Sequence, residues 1–130
     1  HPSALFLARG KRAALAAGLP SPIDSRGIPS ALGGTVCVVG CFVTAKEVIT
    51  KRNRQMSFLS FEDRFSVFEA VAFPDVYSRI LPALDLGSAF LVTGTVEEEW
   101  GALQIRIHDV KCLFEPGRSA EKEPSFTQTR

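Results

Sequence analysis

Residues 35–73, TVCVVGCFVTAKEVITKRNRQMSFLSFEDRFSVFEAVAF, carry the pattern on which the fold depends. Runs rich in β-branched and aromatic residues indicate strands. Three such runs occupy 35–46, 56–62 and 67–73. Gly40, inside the first run, predicts a bulge or sharp bend that would let one strand pair in two sheets. The short connection from Asp63 to Ser66 predicts a hairpin between the second and third runs.

The residues that follow predict a helix and two more strands. Pro74 suits the first turn of a helix, and apolar residues at helical spacing continue to Gly87. Pro82 is expected to end or kink this helix early. Alternating apolar residues then predict a strand at 88–97 and another at 102–110, joined by a turn at 97–101.

The two flanks have a different composition. Residues 1–34 read as an Ala/Leu-rich helical lead-in, interrupted or bent at Gly10 and stopped at Gly18, followed by a Pro/Gly-rich linker. Residues 115–130 lack an apolar period and are expected to form a disordered tail. We therefore expect one domain over 35–114. Because the first residue is His1 rather than Met, we also expect the chain to be a piece of a longer protein.

Composition and cysteine usage limit the class of protein. The 130 residues are 45% hydrophobic, which suffices for one packed core. No run approaches the roughly 18 apolar residues that a membrane-spanning helix needs. Three cysteines, an odd number within strand-like runs, are typical of reduced thiols in a cytoplasmic protein. Cys37 and Cys41 lack a second Cys/His pair, so we predict no zinc site, and no motif implies a cofactor.

Charge is unevenly distributed along the chain. The net charge is only +1, and residues 35–114 hold eight bases against ten acids. Any site for a polyanion must therefore be a local patch rather than the field of the whole domain.

Five short strands with a helix between the third and fourth are the layout of the OB-fold, a Greek-key barrel. We therefore predict an all-β, five-stranded OB-fold barrel with an N-terminal helical lead-in. Such barrels usually hold single-stranded nucleic acid across the second and third strands. The layout favours binding over catalysis.

The first connection, Lys46 to Gln55, is the leading candidate contact. It carries four bases, Lys46, Lys51, Arg52 and Arg54, against the single acid Glu47. Flexible bases in this loop can follow a phosphate chain. The alternative is a solvated hairpin tip whose charges only keep an exposed edge soluble.

Aromatic side chains on the second and third strands would supply the stacking half of such a site. Phe58 and Phe61 must face opposite ways, so one of them belongs to the core. Phe58 is our candidate platform, Glu69 is expected on the exposed face, and Arg106 on the last strand joins the candidate contacts. Lys, Arg and stacking read charge and shape, so base specificity should be weak.

Trp100 lies in the predicted last turn, directly after three glutamates, Glu97 to Glu99. An exposed Trp can stack a base or dock on a partner protein. The glutamates favour a basic partner over a phosphate backbone at this position. A charged turn whose Trp folds back onto the barrel is the remaining alternative.

The chain shows no catalytic arrangement. Glu62 and Asp63 are adjacent, so their side chains diverge on a strand. The two histidines, His1 and His108, are isolated, and there is no P-loop and no G-x-S-x-G motif. We expect no enzymatic activity from this chain.

The order of features resembles the OB-fold domain near the C-terminal end of the bacterial DNA polymerase III alpha subunit. The matching positions are Gly40, the basic stretch 46–55, Met56, Phe58, Glu62, Asp63, Glu69, Phe73, Pro74 and Tyr77. His1-Pro2 is similar to the segment that leads into this domain in that family. Two features depart from it: Ser66 stands where a Gly is usual in the hairpin, and the last hairpin is unusually acidic.

The resemblance implies a non-catalytic module of a cytoplasmic DNA polymerase that binds single-stranded DNA, the template, with partners among the other domains or subunits of the polymerase holoenzyme. It implies no membrane partner, and we expect the isolated chain to be a monomer. Two alternatives stay open. One is a protein-docking domain that uses Trp100, and the other is an RNA-binding module of the anticodon type.

Overall fold

A computed structural model of the chain describes residues 3–99 and 101–116. The strands are β1 Thr35–Ile49, β2 Gln55–Glu62, β3 Val67–Ala72, β4 Ala89–Glu99 and β5 Ala102–Phe114. They close into a barrel in the order β1-β2-β3-β5-β4, in which β3 and β5 run parallel and the other neighbours antiparallel. The helices are α1 Ser3–Ala16 and α2 Pro74–Leu86, with short 3-10 turns at Ser25–Gly27 and Pro29–Ala31. The predicted five-stranded OB-fold barrel, with a helix between β3 and β4, is confirmed.

The long strand β1 belongs to both halves of the barrel. Its first half pairs with β4 as far as Cys41, and from Cys41 onward it pairs with β2. A Cβ atom on Gly40 would lie 2.8 Å from Cζ of Phe68, too close for any larger residue. Gly40 therefore lets an aromatic ring close over the strand. The register shift itself falls between Phe42 and Thr44, slightly beyond the predicted position.

Alternate residues of all five strands fill the barrel. Among the inward side chains, Phe61 stacks against Phe68 with ring centroids 5.7 Å apart, and Phe90 meets Phe61 edge-on at 6.3 Å. Fully burying a side chain of this size stabilises the fold by roughly 1.5–3 kcal/mol. The aromatic centre thus joins β2, β3 and β4 across the barrel interior.

Helix α2 closes one end of the barrel. Ile80 and Leu84 are buried in the core. Of the two effects predicted for Pro82, an end of the helix does not occur: α2 continues to Leu86, and the Gly87 N–H donates to the Ala83 carbonyl. Pro82 removes one helical hydrogen bond, whereas the buried residues on both sides of it hold the helix against the barrel.

Helix α1 packs on the outside of the barrel, against β1, β4 and β5. The predicted interruption at Gly10 does not occur, because α1 is continuous through this position. A Cβ on Gly10 would overlap the Val39 side chain, so this glycine permits close helix-to-sheet contact. The stop at Gly18 is confirmed: its φ is +70°, and Leu19 donates to the Ala14 carbonyl in a Schellman cap.

Candidate nucleic-acid interface

Strand register brings three of the predicted contact residues into one line across the outside of the barrel. Lys46 lies opposite Phe58, Phe58 opposite Val71, and Val71 opposite Arg106, which in turn lies opposite Thr95. We call these five residues the Phe58 row. Because side chains alternate along each strand, residues paired in this way lie on the same face. The row therefore runs over β1, β2, β3, β5 and β4.

Phe58 is the aromatic residue that this face presents. Its side chain is 38% exposed, whereas Phe61 is fully buried and Phe68 is 6% exposed. The structure thereby resolves the choice between Phe58 and Phe61 that alternation left open. The partly exposed Phe58 side chain lies opposite Lys46 on β1, so a base stacked on Phe58 would lie next to a cation.

The basic hairpin tip between β1 and β2 is a defined turn. Lys46 belongs to strand β1 rather than to the loop, since β1 extends to Ile49. The Asn53 N–H donates to the Thr50 carbonyl, and Asn53 has φ +60°, as in a three-residue hairpin loop. This turn projects Lys51 and Arg52 at its tip, where both are exposed. Neither has an ion-pair partner within residues 3–99 and 101–116.

Arg54 is held back toward the barrel. Its guanidinium lies over the Phe73 ring, 5.6 Å from the centroid. Such a cation–π contact contributes about 0.5–1 kcal/mol at an exposed site. Arg54 is therefore partly committed to Phe73, the residue that precedes α2, while Lys51 and Arg52 remain available.

Arg106 is paired within the domain. Its Nε donates to Oε2 of Glu97 at 2.7 Å, and the two side chains are 39% and 34% exposed. Glu97 to Glu99 were predicted as part of a turn, but β4 continues through Glu99. This extension places Glu97 on the strand next to Arg106. A phosphate at this end of the row must compete with a carboxylate that is already bound.

A second line of polar side chains runs beside the Phe58 row. Thr44 lies opposite Ser60, and Ser60 lies opposite Glu69. The Ser60 hydroxyl donates to Oε1 of Glu69 at 2.9 Å. Glu69 is exposed, as the sequence predicted. Thr44 and Ser60 were not singled out from the sequence, because only the pairing register shows that they adjoin Glu69.

The two hairpin loops border this face from opposite ends. Strand β2 begins at the basic tip, and β5 begins after Glu99, at the acidic tip. Because β2 is antiparallel to β3 and β3 is parallel to β5, strands β2 and β5 run in opposite directions, and their starting points lie at opposite ends of the face. A ligand lying along the Phe58 row would pass between the two tips. Trp100 lies outside the described residues. Its neighbour Gly101 has φ +80°, which suits a tight turn.

A cleft of about 350 Å³ lies elsewhere, between α1 and the hairpin that joins β2 and β3. Its lining combines Phe6, Leu7 and Cys41 with the charged side chains of Asp24, Arg26, Glu62, Asp63 and Arg64. Three acids against two bases make it unsuitable for a phosphate. Burial, followed by the nearby Glu62 charge, raises the pKa of the Cys41 thiol, so this cysteine is not activated. We therefore place the candidate interface at the Phe58 row, not in the cleft.

Within the part of the chain that the structure describes, no three His, Cys, Asp or Glu side chains cluster closely enough to hold a metal ion. No described helix has the length and apolar character needed to cross a membrane.

Comparison with known families supports the OB-fold barrel. The tRNA anti-codon family model, described as an OB-fold nucleic acid binding domain, matches residues 36–113, more than half of the chain. The chain belongs to this family. It is therefore an OB-fold nucleic acid-binding domain. No curated protein matched the sequence.

Solved structures similar to this OB-fold domain come from several kinds of protein. Asparaginyl-tRNA synthetase from Pyrococcus horikoshii is 19% identical with a TM-score of 0.55, over 72% of this chain and 23% of the synthetase. A putative aspartyl-tRNA synthetase from Leishmania major Friedlin is 16% identical with the same TM-score, over 72% and 21%. The yeast Stn1 and Ten1 structure is 11% identical at 0.55, over 69% and 60%. At these identities the likeness shows the fold alone, and this chain spans under a quarter of either synthetase.

Proposed function

We propose that this OB-fold domain binds single-stranded DNA along the Phe58 row, as a template-binding module of a bacterial replicative DNA polymerase alpha subunit. Phe58 stacks a base, while Lys46, Lys51 and Arg52 contact phosphates. The observation that carries the proposal is the exposed Phe58 ring, which lies opposite Lys46 on the two strands that meet at the basic hairpin tip. The polymerase context rests on the sequence resemblance. The family model and the similar structures do not link the chain to a polymerase.

A second candidate is an RNA-binding module of the anticodon type. It is favoured by the name of the matching family model and by the two similar tRNA synthetase structures. The same face would serve, because stacking and phosphate contacts are available to both nucleic acids. Contacts to the 2′-hydroxyl would distinguish RNA from DNA.

The decisive experiment is a fluorescence-anisotropy titration of labelled single strands of the same sequence, as DNA and as RNA, at several salt concentrations. Three phosphate contacts on a single strand predict a slope of log K against log salt of about −2. Lys51→Ala/Arg52→Ala should reduce that slope by about 1.4. Phe58→Ala should weaken binding by about 1–3 kcal/mol, or roughly 5- to 150-fold.

Matched controls exist elsewhere on the domain. Phe65 is an aromatic of similar exposure, at 40%, but lies on the β2–β3 hairpin under the Arg26 guanidinium. Lys11 and Arg12 are exposed on α1. Phe65→Ala and Lys11→Ala/Arg12→Ala should leave affinity and slope unchanged. Equal losses in test and control variants, or no binding by the folded domain at low salt, would refute the proposed face. Tighter binding of RNA than DNA would replace the polymerase role with the anticodon-type role.

A further inference from the structure

The polar line of Thr44, Ser60 and Glu69, which we call the Glu69 row, adjoins the position where Phe58 would stack a base. In the β2–β3 ladder Phe58 pairs with Val71 and Ser60 pairs with Glu69, so Phe58 and Glu69 are diagonal neighbours on one face. Diagonal neighbours in an antiparallel pair lie about 7–8 Å apart. A planar base resting on the Phe58 ring would therefore turn one edge toward the Glu69 carboxylate.

The hydrogen-bonding character at Ser60 and Glu69 is one-sided. A carboxylate only accepts hydrogen bonds. The Ser60 hydroxyl donates its proton to Oε1 of Glu69, and its oxygen can still accept a hydrogen bond. No donor to Oε2 occurs within the described residues. Ser60 and Glu69 consequently offer acceptors to the edge of a stacked base, whereas the Thr44 hydroxyl, which can also donate, lies on the other side of Ser60.

The bases differ in how many hydrogen-bond donors their edges can offer to these acceptors. Guanine has two adjacent donors on its pairing edge, the N1–H and the 2-amino group, which match the two oxygens of a carboxylate. Adenine and cytosine each present one amino group beside a ring acceptor. Thymine and uracil present a single N–H between two carbonyl oxygens, and a carboxylate repels those oxygens. Polar groups left without partners are what allow a site to reject a poorly matched ligand.

We propose that Glu69, supported by Ser60, selects guanine at the base position stacked on Phe58. This inference rests on the proposed nucleic-acid face and adds a base preference that Lys, Arg and Phe contacts cannot supply. Good bidentate contacts discriminate by about 1–3 kcal/mol. Because Glu69 is exposed and its contact with the base is partly solvated, the expected preference is at the low end of that range, about five- to tenfold.

The test uses oligothymidylates of about ten nucleotides that carry one central guanine, hypoxanthine, adenine, cytosine or thymine. Hypoxanthine keeps the N1–H of guanine but lacks its 2-amino group. For the native domain, affinity should be highest for guanine, fall on change to hypoxanthine, and be lowest for thymine. Glu69→Gln, whose amide has one acceptor and one donor group, should bring these affinities to within about twofold of each other.

Glu62→Gln is the matched control. Glu62 is an exposed carboxylate on the same strand pair, opposite Val67 and four residues along β2 from Phe58. It removes the same charge as Glu69→Gln, so a general gain of affinity from lower repulsion should be equal in both variants. Only Glu69→Gln should lose the guanine preference.

The outcomes separate this inference from the proposed function. Binding to every oligonucleotide with equal affinity, with loss on Phe58→Ala, would overturn the role of Glu69 and keep the face. A guanine preference that survives Glu69→Gln, or that Glu62→Gln removes equally, would also overturn it. Absence of binding, or binding indifferent to Phe58→Ala, would refute the proposed function and the base preference together.

Discussion

Asp63 joins the N-terminal linker to the barrel, and its replacement should destabilise the fold measurably. Its Oδ2 accepts from the Ser25 N–H and its Oδ1 from the Ser25 hydroxyl, both at 2.7 Å. Oδ1 also accepts from the N–H groups of Phe65 and Ser66, at 2.9 and 3.1 Å. This carboxylate therefore closes the β2–β3 hairpin and attaches the linker to it. Ser66 has no positive φ, so this turn does not require a glycine at that position.

The expected magnitude follows from these bonds. Asp63→Asn keeps an oxygen for Phe65 and Ser66 but turns an NH₂ group toward Ser25. One or two hydrogen bonds to a charged group are lost, each worth about 1.5–3 kcal/mol before solvent screening. Because Asp63 is only half-buried, we expect a loss of about 2 kcal/mol. In a domain of this size that lowers the melting temperature by roughly 8 °C.

The pH dependence gives a sharper test. Burial would raise the pKa of Asp63, but hydrogen bonds from Ser25, Phe65 and Ser66 outweigh it and lower the pKa below its usual value. A carboxylate with a lowered pKa stabilises the fold fully above its unfolded pKa of about 3.9, and this contribution is lost as pH falls through the folded value. The difference between the native domain and Asp63→Asn should be constant from about pH 7 to 5 and shrink below about pH 4.

Thermal melts followed by circular dichroism over this pH range measure that difference. Glu62→Gln, at the neighbouring exposed carboxylate, should stay within about 0.5 kcal/mol of the native domain. The reasoning is refuted by an Asp63→Asn variant as stable as the native domain at pH 7, or by a difference that persists unchanged at pH 3.

Two further variants test the packing and the electrostatics. Gly10→Ala should destabilise the domain by about 1–3 kcal/mol in denaturant melts, because the new methyl group overlaps Val39 even though Ala favours helix. Leu15→Ala, on the exposed side of α1, should be close to neutral. A Gly10→Ala domain as stable as the native one would contradict the packing. Glu97→Gln should release Arg106, raise single-strand affinity and steepen the salt slope by about 0.7. The same changes in Glu98→Gln would mean that only net charge matters.

The positions of the strands along the chain could be predicted from local sequence, because each strand carries its own alternation of apolar and polar residues. Alternation and β-branched residues located all five strands, and Pro74 marked the start of α2. The ends of β1 and β4 were less clear: the predicted strands stop at Lys46 and Glu97, whereas the strands extend to Ile49 and Glu99. They are longer because a partner strand continues opposite them, as in the pairs Val48↔Met56 and Glu99↔Ala102.

The glycines and the prolines show where local patterns mislead. Gly10 and Pro82 both predicted an interrupted helix, yet α1 and α2 are continuous. Helix breaking is a local cost of about 1–3 kcal/mol, which burial against the barrel can exceed. No local pattern reports how close Val39 comes to Gly10, because their contact crosses 29 positions of the chain.

The candidate interface divides in the same way. Sequence alone established a basic hairpin tip, an exposed Glu69 and a choice between two phenylalanines, since these follow from composition and a period of two residues. Barrel closure decided the rest. It turned Phe58 outward and Phe61 inward, aligned Lys46, Phe58 and Arg106, and gave Arg106 the Glu97 carboxylate as a partner. Register between strands is a non-local property, and it alone determines which side chains become neighbours on a barrel surface.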